Sequence, residues 1–198
     1  MNYRLLKIGT SCFVLIIAGC VGGGFLLPDF PNWNARKVAL ENMEKWEFNG
    51  RIAVSSESDG FTGRLRWRQD GSFYQAQVSG PLGSGAVYMK GDSAGLSLTD
   101  KEGVVTAVPD AEHDLIARYG WTIPVKSLRF WVLGIPDPSV PAEVELNKSD
   151  QLNLLRQRGW EISIELYAVA GGQLMPERLT AVSGKNHVRL VIDNWLFR

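Results

Sequence analysis

The chain has 198 residues and a formal net charge of zero, with 21 basic and 21 acidic side chains. This balance argues against a nucleic-acid partner or a polybasic membrane-binding segment. The length suits one domain with a sizeable core, and the seven tryptophans indicate either a large core or apolar residues that line something else.

The N-terminus has the pattern of a secretory signal. Arg4 and Lys7 precede an apolar run over residues 12–18, which is too short to span a bilayer and ends in small residues before Cys20. We therefore predict that residues 1–19 are a signal peptide and that Cys20 is lipidated. This region resembles the bacterial lipobox, in which the cysteine thiol accepts diacylglycerol.

A transmembrane anchor is the alternative, because residues 8–27 carry no charge. Five glycines within that stretch would make it a poor helix. After cleavage Cys20 is the only cysteine, so an internal disulfide is impossible, and acylation explains a lone cysteine in an exported chain better. Val21 follows it where an aspartate would favour retention in the inner membrane, which fits an outer-membrane destination.

The remaining chain divides into a tether and one domain. Residues 20–32 are rich in glycine and proline, which is typical of a flexible tether, and residues 33–198 form the domain. Asn32 can cap a helix that runs to about Trp46, with Arg36 on its polar face.

Alternating patterns then predict strands at 51–54, 64–68, 73–79, 86–90, 96–98, 104–108, 152–156, 160–168, 178–182 and 187–192. Asp70-Gly71 indicates a hairpin. Two helices interrupt the series, at 111–119 and 125–133. The fold class is α+β, mainly β, and its sheet is mostly antiparallel.

Three arginines alternate with apolar residues in the second predicted strand. Leu65 and Trp67 share one face, and Arg64, Arg66 and Arg68 share the other. The arginines indicate a solvated sheet face, and a docking surface for an acidic partner is the alternative.

Enzyme signatures are weak. The sequence contains no phosphate-binding loop, no nucleotide fingerprint and no paired-histidine metal motif, since His113 and His187 are its only histidines. A polar cluster around His113 (Asp110, Glu112, Asp114) is better explained as the first turn of a helix. We expect no enzyme activity, no metal and no cofactor beyond the diacylglycerol and acyl groups on Cys20.

Several segments, in order along the chain, resemble the outer-membrane lipoprotein receptor family LolB. They are Trp46 with 50–53, 67–69, 80–84, Pro124 with Leu128, Trp131, Gly134 and Pro136, then Gln157, Gly159-Trp160, Pro176 and 193–195. Each is weak alone, but the ordered set together with a lipobox is specific.

The resemblance implies an incomplete antiparallel β-barrel, or curved sheet, closed by short α-helices over an apolar cavity. The cavity would take acyl chains of client lipoproteins from the periplasmic carrier LolA and release them into the inner leaflet of the outer membrane. Leu82 matches the apolar loop residue that the family uses for release. Its alternative role is packing onto the core. The candidate cavity residues are Leu65, Trp67, Tyr74, Ala76, Val78, Leu128 and Trp131.

The expected protein is a lipid-anchored, periplasm-facing monomer of the outer membrane. The helix over 125–133 is either a lid on a filled core or a cavity wall. Two other functions stay open at this point: a non-transporting envelope lipoprotein that acts as an assembly scaffold, and a periplasmic hydrolase.

Overall fold

The computed structural model describes residues 25–57, 60–80, 86–92, 95–100, 102–108 and 124–198. Within these residues, two helices, α1 (Trp33–Glu41) and α2 (Val125–Trp131), accompany eleven strands. The strands are β1 (Lys45–Ser55), β2 (Gly60–Asp70), β3 (Phe73–Ser79), β4 (Val87–Gly91), β5 (Leu96–Thr99), β6 (Val105–Val108), β7 (Glu143–Leu146), β8 (Leu152–Gln157), β9 (Trp160–Ala170), β10 (Gln173–Ser183) and β11 (Asn186–Phe197).

All eleven strands belong to one antiparallel sheet, in the order β6-β5-β4-β3-β2-β1-β11-β10-β9-β8-β7. The sheet therefore consists of two meanders joined where the first strand pairs with the last. The predicted mainly β, antiparallel fold is confirmed. The sheet is not closed, because β6 and β7 lie at its two edges and no pairing joins them among the described residues.

One side of this sheet, which we call the inner face, carries the core. Leu65 lies opposite Val78 and Trp67 opposite Ala76 in the β2–β3 pair, and all four side chains are buried. Alternation continues this pattern across the sheet, so the other side, the outer face, is mainly polar. The arginines of β2 lie on the outer face and are exposed, in agreement with the alternation of the sequence.

A β-bulge bends the centre of the sheet. The register of β1 against β11 shifts between Asn49 and Gly50. A Cβ atom at Gly50 would lie only 2.3 Å from the carbonyl oxygen of Val191, so this close approach requires glycine. Bulges bend strands and increase their twist, which curves the sheet around its inner face.

Residues 124–140, which we call the cover segment, lie in the connection between the two edge strands and contain α2. Trp131, Val132 and Ile135 in this segment are fully buried. Gly134 ends the helical region with φ of +75°, a left-handed conformation that glycine adopts readily at the end of a helix. The helix itself ends at Trp131, two residues earlier than predicted, and continues as a hydrogen-bonded turn.

The N-terminal helix is shorter than predicted. The Asn32 side chain accepts a hydrogen bond from the Ala35 N–H, so the predicted cap is confirmed. The predicted end of this helix at about Trp46 is wrong. Helix α1 ends at Glu41, and Trp46 lies in β1, where it packs on the inner face. Within the predicted tether, Leu27 is buried, and its N–H donates to the Gly171 carbonyl oxygen at 2.8 Å.

Among the described residues, neither helix is long and apolar enough to cross a membrane. The predicted helix over 111–119 lies outside the described residues.

Candidate functional site

A row of stacked aromatic rings crosses the inner face from β1 to β3. Trp46 and Phe48 of β1 each lie parallel to Trp67 of β2, with centroid distances of 6.3 and 6.4 Å. Trp67 stacks in turn on Tyr74 of β3 at 5.1 Å. The rings come together because alternate residues of paired strands share a face.

All seven predicted cavity residues belong to the buried side of the molecule. Leu65, Trp67, Tyr74, Ala76 and Val78 lie on the inner face, as alternation predicts, and Leu128 and Trp131 lie on α2. Trp131 has no exposed surface, and Leu128, the most accessible of the seven, is 7% exposed. Contact of these side chains with acyl chains stays a prediction.

A buried glutamine fastens the cover segment to β8. The Gln157 Oε1 atom accepts hydrogen bonds from Trp131 Nε1 at 2.9 Å and from the Asp137 N–H at 3.0 Å. Its Nε2 atom donates to the carbonyl oxygens of Asp137 and Val140, both at 2.8 Å. The side chain thus satisfies four polar groups that would otherwise be buried without partners. We call this arrangement the Gln157 clamp.

Asp137 strengthens this fastening within the cover segment. Burial opposes its ionisation, but hydrogen bonds from Ser139 and from the Ser127 hydroxyl, together with the charge of Arg158, favour the carboxylate. The pKa of Asp137 therefore lies below its ordinary value. The carboxylate ties the beginning of α2 to the loop that follows it, so the segment forms one unit.

A second buried glutamine organises the other side of the row of rings. Gln69 accepts from Trp67 Nε1 at 3.0 Å and donates to the carbonyl oxygens of Gly71 and Phe73. Arg129 of α2 donates to the same Gly71 oxygen, at 3.4 Å. The cover segment is thereby connected to the β2–β3 hairpin as well as to β8.

A cleft of about 330 Å³ opens beside this second contact. Tyr74, Phe130, Lys126, Arg129 and Arg158 are among its lining residues. Burial, and secondarily the charge of Asp92, raises the pKa of Tyr74 to about 12. The phenol is therefore neutral at physiological pH.

Arg36 is a buried cation that the sequence does not reveal. The residue was expected on the polar face of α1, but it is only 3% exposed, so that expectation is wrong. Its guanidinium lies over the rings of Phe30 and Tyr167, at 5.1 and 5.6 Å, and contacts the sulfur of Met175. Burial lowers the pKa of Arg36. These contacts attach α1 to β9 and β10.

Several predicted site residues lie outside the described residues. These are Cys20, Leu82 and the polar cluster Asp110, Glu112, His113 and Asp114. Among the described residues, no group of histidine, cysteine, aspartate or glutamate side chains could hold a metal ion.

Comparison with known proteins gives a consistent family match. The family model described as outer membrane lipoprotein LolB matches residues 44–195. A protein of Pseudomonas putida named outer-membrane lipoprotein LolB is 30% identical over 191 residues, 94% of this chain and 93% of its own length. A protein of the same name from Xanthomonas euvesicatoria pv. vesicatoria is 33% identical over 203 residues, 96% of this chain and 93% of its own.

Among solved structures, a LolA superfamily protein from Nitrosomonas europaea superposes with a TM-score of 0.52 at 9% identity. The superposition covers 79% of this chain and 87% of that one. At this identity the likeness shows a shared fold.

Proposed function

Because the chain belongs to the LolB family of outer-membrane lipoproteins, we propose that it accepts lipoproteins from the periplasmic carrier LolA and inserts them into the outer membrane. The chain is an outer-membrane lipoprotein of a trafficking family and not of an enzyme family. The family match over nearly the whole chain carries the proposal, and the fold shared with the LolA superfamily supports it.

The acyl-binding surface in this proposal is the space between the inner face and the cover segment. The inner face is mainly apolar, as a surface for hydrocarbon chains must be, and its buried glutamines Gln69 and Gln157 are hydrogen-bonded. The cover segment closes over it and is held by the Gln157 clamp, the Arg129 contact and the Asp137–Arg158 ion pair at 3.8 Å. We propose that acyl chains enter when this segment moves away, and that Trp67, Tyr74, Leu128 and Trp131 then contact the lipid.

Each methylene group removed from water contributes about 0.8 kcal/mol. A sixteen-carbon chain is therefore worth on the order of 12 kcal/mol, which prevents its release into water. Transfer must run from cavity to cavity and then downhill to the bilayer. A difference of about 1.4 kcal/mol between successive acceptors already gives a tenfold bias.

Two roles in this proposal fall on residues outside the described part of the chain. Acylated Cys20 anchors the domain beside the membrane that it loads, which raises the effective concentration of that membrane. Leu82 enters the apolar region of the bilayer and opens the exit path. Leu82→Glu should leave folding and acyl binding intact but stall insertion, and normal insertion by this variant would contradict the role.

The proposal is tested by transfer of a client lipoprotein. A soluble form carrying Cys20→Ala is mixed with LolA loaded with a lipoprotein, and the lipoprotein should then be recovered with the soluble form. When the membrane-anchored form holds the client lipoprotein and vesicles are added, the client lipoprotein should move into the bilayer. Failure of the first step would refute the receptor function.

The assembly-scaffold alternative requires a permanently filled core, and the complete burial of Trp67 and Trp131 favours it. Brominated acyl chains distinguish the two functions. They should quench tryptophan fluorescence if lipid reaches the inner face, and they should leave it unchanged if the protein is a scaffold.

A further inference from the structure

The three arginines of β2 differ in what faces them across the strand pair with β1. Arg68 lies opposite Glu47, with its Nε atom 3.6 Å from the Glu47 Oε1 atom. Arg66 lies opposite Asn49, whose Oδ1 atom accepts a hydrogen bond from Arg66 Nε at 2.9 Å. Along β2, therefore, Arg68 faces a carboxylate of β1, whereas Arg66 faces only a neutral amide.

At the next outer-face position the facing residue is itself a cation. Arg64 lies directly opposite Arg51, and both side chains are exposed on the outer face. Like charges placed directly opposite each other in a sheet are destabilising. Arg51 is paired with Asp193 at 2.8 Å, whereas Arg64 forms no ion pair with any residue that the structure describes.

These two arginines line a shallow depression of about 340 Å³ together with Arg189, Thr62 and Gly80. Arg189 lies on the same face of β11, where Glu165 of β9 approaches it at 3.8 Å. Three guanidinium groups therefore surround the depression, and Asp193 and Glu165 are the carboxylates paired with them. One cation, Arg64, is left without an anion within the described residues.

The depression lies next to the segment that carries Leu82, because Gly80 is one of its lining residues. Arg64 is paired with Ser79, the last residue of β3, and residues 81–85, which the sequence predicts to be a loop, follow directly after Gly80. A loop that enters a bilayer brings its own base to the level of the phosphate groups. Guanidinium groups match phosphate oxygens in charge and in hydrogen-bond geometry.

We propose that Arg64, Arg51 and Arg189 form a binding site for the phosphate of anionic phospholipid headgroups, which holds the base of the 81–85 loop at the membrane surface. The bound phosphate screens the Arg64–Arg51 repulsion and takes the place of the missing counter-ion. This inference rests on the proposed function, in which the loop reaches the outer membrane.

The test compares two substitutions on the same strand and the same face. The mature chain carrying Cys20→Ala is titrated with phosphatidylcholine vesicles, with and without added phosphatidylglycerol. Arg64→Gln should weaken binding to the phosphatidylglycerol vesicles about fivefold, the factor expected for one basic side chain at an anionic surface. Arg68→Gln removes the same charge, but from a site that already has its anion, and should leave binding unchanged.

Two further results would support the site. Arg64→Lys should restore most of the binding, and added salt should reduce the difference between the original protein and Arg64→Gln. Equal losses in Arg64→Gln and Arg68→Gln would overturn the proposal in favour of diffuse electrostatic attraction. An absence of any preference for phosphatidylglycerol would also overturn it.

The same variants separate this inference from the proposed function. If Arg64→Gln slows uptake of lipoprotein from the carrier but binds vesicles normally, the patch serves an acidic protein surface and the lipid site is refuted. If the unsubstituted protein accepts no lipoprotein from the carrier, the receptor function is refuted. The vesicle comparison of the variants still tests the phosphate site in that case. The urea midpoint of each variant serves as the folding control.

Discussion

The Gln157 clamp gives the sharpest test of how the cover segment is held. Gln157→Met keeps the length and volume of the side chain but removes its four hydrogen bonds. A typical intramolecular hydrogen bond contributes about 0.5–1.5 kcal/mol net. We therefore expect the free energy of unfolding to fall by about 2–6 kcal/mol. The low end applies if the segment opens and water reaches the freed groups.

Urea unfolding measures this loss, and Gln75→Met on the outer face of β3 is the matched control. Hydrogen exchange of the Asp137 amide, which the clamp protects, should accelerate in Gln157→Met and not in the control. In the proposed mechanism the weakened cover also opens more often, so uptake of a fluorescent fatty acid should be faster. A stability within about 0.5 kcal/mol of the control would refute the reasoning, since that is the range of ordinary surface substitutions.

Three other predictions concern charge and backbone geometry. The folded-state pKa of Asp137 is depressed, so its stabilising effect is present at neutral pH and is lost as the pH falls below about 4 towards the folded pKa. Asp137→Asn should therefore lower the free energy of unfolding at pH 7 and flatten the acid side of the pH–stability curve. An unchanged acid side would contradict this prediction. Gly50→Ala should cost several kcal/mol because its Cβ meets a β11 carbonyl oxygen at 2.3 Å, whereas Gly95→Ala, with nothing within 4 Å, should change the melting temperature little. Arg64→Gln should raise the free energy of unfolding by about 0.2–1 kcal/mol at low salt, because it removes a like charge facing Arg51, while Arg68→Gln should lower it slightly. A fall for Arg64→Gln together with a rise for Arg68→Gln would refute the facing-charge argument.

The sheet was predictable where alternation reports burial on one face. The pattern in 64–68 placed Leu65 and Trp67 on the inner face correctly, and the observed strand extends to Gly60 and Asp70 because pairing with β1 continues there. The strand at 143–146 was missed. Its Glu-Val-Glu-Leu sequence does alternate between polar and apolar residues, but the run is only four residues long and three of its side chains are exposed, so burial on one face does not mark it. Its pairing with β8 is a long-range property.

The helical end of the domain was less predictable. The spacing of apolar residues matched a helix up to Trp46, yet the chain turns after Glu41 because Trp46 packs in the row of rings on β1. Arg36 had the pattern of an exposed polar residue, and only the folded arrangement of Phe30 and Tyr167 explains its burial. The position of Gln157 was recognised within a family motif, but its four hydrogen-bond partners lie 17 to 26 residues before it, which local pattern does not encode.

The docking of Leu27 against Gly171 determines how the anchored domain can stand on a membrane. The Gly171 turn lies at one end of the strands, and Ser79, the last residue of β3, lies about six residues further along them and four strands across. That separation is about 20 Å along the strands. From Cys20 to Leu27 an extended chain reaches at most about 25 Å. If Cys20 carries the lipid and residues 81–85 touch the same bilayer, as proposed above, a sheet with upright strands uses nearly the full length of the segment from Cys20 to Leu27. If the three consecutive glycines were deleted, the chain from Cys20 to Leu27 would reach only about 14 Å, and the sheet would have to lie along the membrane.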